Sequence, residues 1–121
     1  MTPERMPPER CAWWTPGDAT RNPPDDELFL RKLADAGFAT YVGPMGLLGA
    51  KTEYRNVIVI NRGWGRRWEI TLREDESDRH ITMLTRLPDR AEGAIAWLTG
   101  ESLDRVIVSL ETATGEDEKR T

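Results

Sequence analysis

Residues 57–60 read Val-Ile-Val-Ile, and no other stretch limits the fold as sharply. Four β-branched side chains in succession are stiff about χ1 and suit a pleated strand better than a helix. They are apolar on both faces, so residues 55–61 are expected to form a central, buried strand. Residues 64–73 supply a neighbour. Trp68, Ile70 and Leu72 alternate with Arg67, Glu69, Thr71 and Arg73, the period of a half-buried strand. Arg62-Gly63 fits the intervening hairpin turn. After an acidic turn at 74–78, residues 79–86 read as a third strand with Ile81 and Met83 inward. Residues 39–42 are a short strand candidate, and 43–50, with three glycines and a proline, read as a loop.

Helical spacing flanks this sheet. Phe29, Leu30, Leu33 and Ala36 mark a helix over 25–36. Asp25, Asp26 and Glu27 fall in its first turn, where negative charge suits the helix dipole, and Gly37-Phe38 fits a Schellman stop. Asp89 and Glu92 have capping-box spacing ahead of Ala91, Ala94, Ile95 and Leu98, a helix closed by Gly100. After Ser102, the residues Leu103, Val106, Ile107 and Leu110 keep helical spacing, while the run Val106-Ile107-Val108 also suits a strand. The expected fold is α+β: an antiparallel meander of three to four strands, with an N-terminal helix and one or two C-terminal helices packed on one face. A single domain is expected over 25–111. Six of the eight prolines lie in 1–24, which reads as a largely disordered arm. Residues 112–121 read as a disordered polar tail.

Composition removes several function classes. A chain of 121 residues with one cysteine is no disulfide scaffold. No apolar run approaches the roughly 18 residues that a bilayer-spanning helix needs, and no basic-then-apolar leader opens the chain. A cytoplasmic protein without membrane contact is expected. Residues 46–52 end in Lys51-Thr52 like a phosphate-binding loop, but Ala50 stands where that loop needs glycine, and a strand follows where it needs a helix. His80 and Cys11 are too few and too far apart for a zinc set. Glu74, Asp75, Glu76 and Asp78 lack the glycine and bidentate acid of a calcium loop. No serine stands in a nucleophile elbow, and His80 has only Asp78 near it in sequence. A helix-turn-helix reading of Ala96, Gly100 and Val106 fails at its second helix, where Arg105 stands against Asp104 and Glu111 and phosphate would be repelled. The chain therefore reads as non-enzymatic, with no cofactor and no metal.

Charge is what stands out. The formal net charge is -4, yet between Arg55 and Arg73 five arginines (Arg55, Arg62, Arg66, Arg67 and Arg73) face one acid, Glu69, a local +4. Arginine outnumbers lysine by 14 to 3. That ratio fits the codon bias of a GC-rich source, such as an actinobacterium or its phage, and it also supplies the planar fork that grips carboxylates and phosphates. Tyr54, Trp64 and Trp68 interleave with these arginines, and Trp64 stands between Gly63 and Gly65. The leading expectation is a binding module, an accessory protein that regulates or inhibits an unidentified protein partner. It would act through Trp64, Arg62, Arg66 and Arg67, with Trp13 and Trp14 of the arm as a second anchor. The alternative is single-stranded nucleic acid, with Arg55, Arg66, Arg67 and Arg73 on phosphates and Tyr54 and Trp64 stacking on bases. Outside 55–73 the balance is -8 (-4 less the local +4), which disfavours a polyanion and favours the protein partner. The competing expectation is structural: the tryptophans plug the core and the arginines pair with the chain's own acids.

Overall fold

The computed structural model describes residues 7–15, 17, 24–61, 68–74, 77–83 and 86–106. In chain order these form β1 (Ala12–Trp14), α1 (Pro24–Asp35), β2 (Ala39–Val42), β3 (Leu48–Lys51), β4 (Arg55–Asn61), β5 (Trp68–Glu74), β6 (Ser77–Met83), a 3-10 turn (Leu87–Arg90) and α2 (Ala91–Leu98). A single helical turn follows at 103–106. The strands make one antiparallel sheet in the order of the chain, β1 to β6. The α+β class and the antiparallel meander are as expected. The strand count is six among the described residues rather than three to four, because β1 arises inside the stretch read as an arm and β3 inside the stretch read as a loop.

Both extra strands are defined by pairing rather than by pattern. β3 reads Leu-Gly-Ala-Lys, with no β-branched residue, and takes its extended form from ladders on both sides, to β2 and to β4. Gly49 is obligatory there. The buried Tyr41 hydroxyl passes over it to donate to the Val57 carbonyl oxygen at 2.8 Å, and a Cβ at Gly49 would stand 1.9 Å from that same oxygen. β1 is held by its ladder to β2 and by the Thr40 hydroxyl, which donates to the Trp14 carbonyl oxygen at 3.0 Å.

Both helix stops follow the glycines. Gly37 has φ 98°, and the N–H groups of Phe38 and Gly37 return to the carbonyls of Leu33 and Ala34, a Schellman motif. Gly100, with φ 109°, repeats it: Glu101 N–H donates to Ala96 and Gly100 N–H to Trp97. The Asp89–Glu92 capping box does not form. Pro88 is preorganised for the first turn of a helix, so helical geometry begins early as the 3-10 turn. The residue flanking α2 is then Arg90, with no side-chain cap.

The registers assign side chains to faces. Trp14, Thr40, Ala50, Val57 and Leu72 share one cross-strand row, and Val42, Leu48, Val59, Ile70 and Ile81 share the next. These rows meet Phe29, Leu30 and Leu33 of α1 and Trp97 and Leu98 of α2 in one buried cluster, with Trp68 and Phe38 packed against it. The opposite face carries the row Trp13, Tyr41, Gly49, Ile58, Thr71 and His80. The run 57–60 is therefore not equally buried on both sides. Val57 and Val59 are buried under the helices, whereas Ile58 and Ile60 are half-buried, since the described helices all lie on the other face.

Candidate functional site

Strand direction sorts the turns to two ends of the sheet. At one end lie Arg55, Glu74 and Ser77, aligned across β4, β5 and β6, with the turn 52–54 that leads into β4. At the other lie the turn 43–47 between β2 and β3, the start of β1, and the pair Asn61↔Trp68 that closes the β4–β5 ladder. The two ends are separated by the length of β4, about 20 Å at roughly 3.4 Å per residue.

Arg55 belongs to the first end and is committed to the fold. Its Nη1 donates to the carbonyl oxygens of Trp97 at 2.9 Å and Glu101 at 2.8 Å. Its guanidinium lies 4.2 Å from the Trp97 ring centroid, and Glu74 is 3.8 Å from Nη2. A cation on the carbonyls at and just past a helix C-terminus matches the dipole, and here it adds to the Gly100 N–H that the Trp97 carbonyl already accepts. Trp97 is fixed in turn by its indole N–H, which donates to the Asn56 carbonyl at 3.2 Å. Tyr54 sits in the adjacent turn and is 69% exposed. Arg73 lies on the opposite face of the sheet from Arg55, one register step along, 3.4 Å from Asp78. The residues expected to contact nucleic acid are thus dispersed: Arg55 is under α2, Arg73 is on the other face, and the connection between Asn61 and Trp68 leaves from the far end.

The tryptophan pair of the arm divides between the faces. Trp14 is buried in the core cluster at 5% exposure, so it is a packing residue and not a docking anchor. Trp13 points to the face without described helices, is 36% exposed, and stands edge-on to Tyr41 with ring centroids 6.5 Å apart. Trp68 packs against the core, as the structural reading expected. Arg62, Trp64, Arg66 and Arg67 lie outside the described residues.

The far end carries features with no expectation attached to them. Pro44–Gly46 forms a 3-10 turn closed by hydrogen bonds from Leu47 N–H to Pro44 and from Gly43 N–H to Leu47. Its tip residue, Met45, has φ 59° and ψ 33° and is 93% exposed. Beside it, the N–H of Cys11 donates to Pro8 at 3.0 Å, and Arg10, within that turn, has φ 66°. The two turns touch: a Cβ on Gly43 would meet the Cys11 Sγ at 2.8 Å. The available signal was Pro-X-Gly, which places its middle residue at a turn tip.

His80, dismissed as a base on sequence grounds, is nevertheless organised. Its Nδ1 lies 2.9 Å from the Thr71 hydroxyl and 3.4 Å from a Glu69 carboxylate oxygen. Both partners address the same ring nitrogen, which tethers the imidazole at the surface. No group of three or more metal-ligating side chains occurs among the described residues. No helix among them is long and apolar enough to cross a membrane. One buried carboxyl is unusual. Asp26 in α1 is 2% exposed with Oδ1 unpartnered among the described residues, and burial, with Asp25 beside it, pushes its pKa up from 3.8 to about 6.

No protein-family model, no curated protein and no solved structure matches this chain.

Proposed function

We propose that the chain is a non-enzymatic binding module that docks to a protein partner at the sheet end where β4 gives way to β5, and that it acts there as a regulator or inhibitor. The partner contacts are Arg62, Trp64, Arg66 and Arg67, in the connection between Asn61 and Trp68. One observation carries this reading. Of the arginines that give 55–73 its positive charge, Arg55 is committed to α2 and Arg73 to Asp78. The three that remain sit together in a six-residue connection that contains no acid. Tryptophan and arginine in such concentration are the residue types that carry most interface energy. The single-stranded nucleic-acid reading draws no support from the described residues, because its contacts are divided between faces and ends.

The test is affinity capture from a lysate of the source cells, with wild type and a Trp64→Ala/Arg66→Ala/Arg67→Ala variant of unchanged circular dichroism. Any captured protein is then purified and its affinity for each form measured. The expected result is a direct complex at least about tenfold weaker with the variant. Equal affinities overturn the reading. Recovery that is lost to nuclease, or that falls steeply with salt, moves it to nucleic acid.

A further inference from the structure

We infer that β6 is a dimerisation edge: two copies of the chain pair β6 with β6 antiparallel about a two-fold axis and join their sheets into one. The inference is independent of the contacts proposed at 62–67.

The two edges of the sheet are built differently. β1 has three residues, and so short an edge offers little to a second strand. β6 has seven, Ser77–Met83, and each is in register with β5, so no bulge bends the edge away. It contains no proline and no lysine, the residues that commonly guard an edge. The described helices pack on β2, β3 and β4, and β6 projects beyond them. Ser77, Asp78, Arg79, His80 and Thr82 are all exposed.

The ladder decides which backbone groups are open. Residues of an antiparallel pair alternate between exchanging both hydrogen bonds and turning both groups away. The short connection between Glu74 and Ser77 closes on a bonded pair. Ser77, Arg79, Ile81 and Met83 therefore bond to β5. Asp78, His80 and Thr82 present N–H and C=O at the free edge, where no described strand meets them. The charged side chains that could screen these groups are drawn back toward β5. Asp78 lies 3.4 Å from Arg73, and His80 Nδ1 lies 2.9 Å from the Thr71 hydroxyl and 3.4 Å from Glu69. What is left at the edge is backbone, and its complement is another extended strand.

The strand is its own complement. An isologous pair overlaps all seven residues when His80 stands opposite His80. Asp78 then faces Thr82, a hydroxyl donor, Arg79 faces Ile81, and Ser77 faces Met83, so no carboxylate meets a carboxylate and no guanidinium a guanidinium. Asp78 and Arg79 cancel within the strand, so the two edges meet without net charge from these residues. Either neighbouring two-fold register shortens the overlap to five residues, and one of them sets Arg79 against Arg79.

The test is sedimentation equilibrium of the full chain from about 10 μM to about 1 mM, with amide hydrogen exchange read by NMR at both ends of that range. A dimer is expected at the higher concentration, where the amides of Asp78, His80 and Thr82 exchange at least about fivefold more slowly than at the lower. The amides of Arg79 and Ile81, bonded to β5 in either state, stay protected throughout, so a change in folding cannot imitate the effect. In a mixture of isotopically labelled and unlabelled chains, a cross-peak between Hα of Arg79 and Hα of Ile81 of the partner subunit fixes the register. A chain that stays monomeric at the highest concentration overturns the inference. So does a dimer in which the outward amides exchange at an unchanged rate, and so does slowed exchange without that cross-peak.

Discussion

The two ends of the sheet both present arginine and use it in opposite ways. At the Arg55 end the guanidinium is drawn inward, over an indole and onto two helix-terminal carbonyls, and its charge completes the fold. At the Met45 end Arg10 stands in water in a conformation that costs the fold energy, and the β4–β5 ladder closes at this same end with Asn61 and Trp68. The lesson is that a local charge excess read from sequence is not a surface until each side chain has been located. The +4 between Arg55 and Arg73 counts two arginines with partners inside the molecule. If this contrast is right, substitutions at the Arg55 end should damage stability, and substitutions at the Met45 end should leave it intact or improve it.

The largest effect tests how firmly the sheet between the ends is locked. Gly49→Ala places a methyl 1.9 Å from the Val57 carbonyl oxygen and 2.8 Å from the Tyr41 hydroxyl. Neither can yield without parting β3 from β4 or breaking the Tyr41 hydrogen bond, so a loss of about 3–5 kcal/mol is expected by urea denaturation. A loss under about 1 kcal/mol would mean that the sheet relaxes freely and that its two ends are not rigidly related. Next, Arg55→Ala should cost about 2–3 kcal/mol, because it removes two charge-assisted hydrogen bonds, to the Trp97 and Glu101 carbonyls, and a cation–π contact. Arg55→Lys should recover little of this, since an ammonium cannot reproduce the planar arrangement over Trp97. Full recovery by lysine would reduce the Arg55 end to simple charge and blur the contrast with Arg10.

How much of this was legible in the sequence depends on how local the cause is. The helix stops at Gly37 and Gly100 are set within six residues and could be read directly. So could β4 and the inward set Trp68, Ile70 and Leu72, where composition and period agree. β1 and β3 could not, because three or four residues hold too little periodicity, and their extension is imposed by partners up to about 30 positions away. Trp14 and Trp13 are adjacent in sequence and fall on opposite faces only because a strand forms there. Met45 was legible only in part: Pro44-Met45-Gly46 marks a turn tip, whereas its φ and exposure are set by the fold. Asp26 misled in the other direction. Its place in the first turn of α1 suggests a solvated carboxylate helped by the dipole, whereas packing buries it.

Asp26 tests a different kind of cost. It lies in the first turn of α1, beside Asp25, which pairs with Arg86 at 2.9 Å, and its own carboxyl is buried. Its folded pKa, about 6, is above the unfolded value of 3.8, so the native state holds the proton more tightly. Stability is then full below about pH 4 and declines as pH rises through 6, by at most about 3 kcal/mol at about 1.4 kcal/mol per pH unit. Asp26→Asn cannot ionise. It should be more stable than wild type by about 1–3 kcal/mol at pH 7.5 and indistinguishable from it at pH 3.5. Parallel stability curves for the two proteins across that range would show that the carboxyl is not buried in solution.

The smallest effect is the most direct on the contrast itself. Asparagine tolerates the left-handed region through its short polar side chain, and it avoids the extra unfolded-state freedom of glycine. Met45→Asn should therefore raise stability by about 0.5–1 kcal/mol, because a nearly naked methionine contributes no burial to lose. The sign matters more than the size. A fold that stabilises when an exposed apolar side chain is removed was not using it. A Met45→Asn variant that is less stable than wild type would mean that the turn leans on the thioether after all. The Met45 end would then be held by its own side chains much as the Arg55 end is.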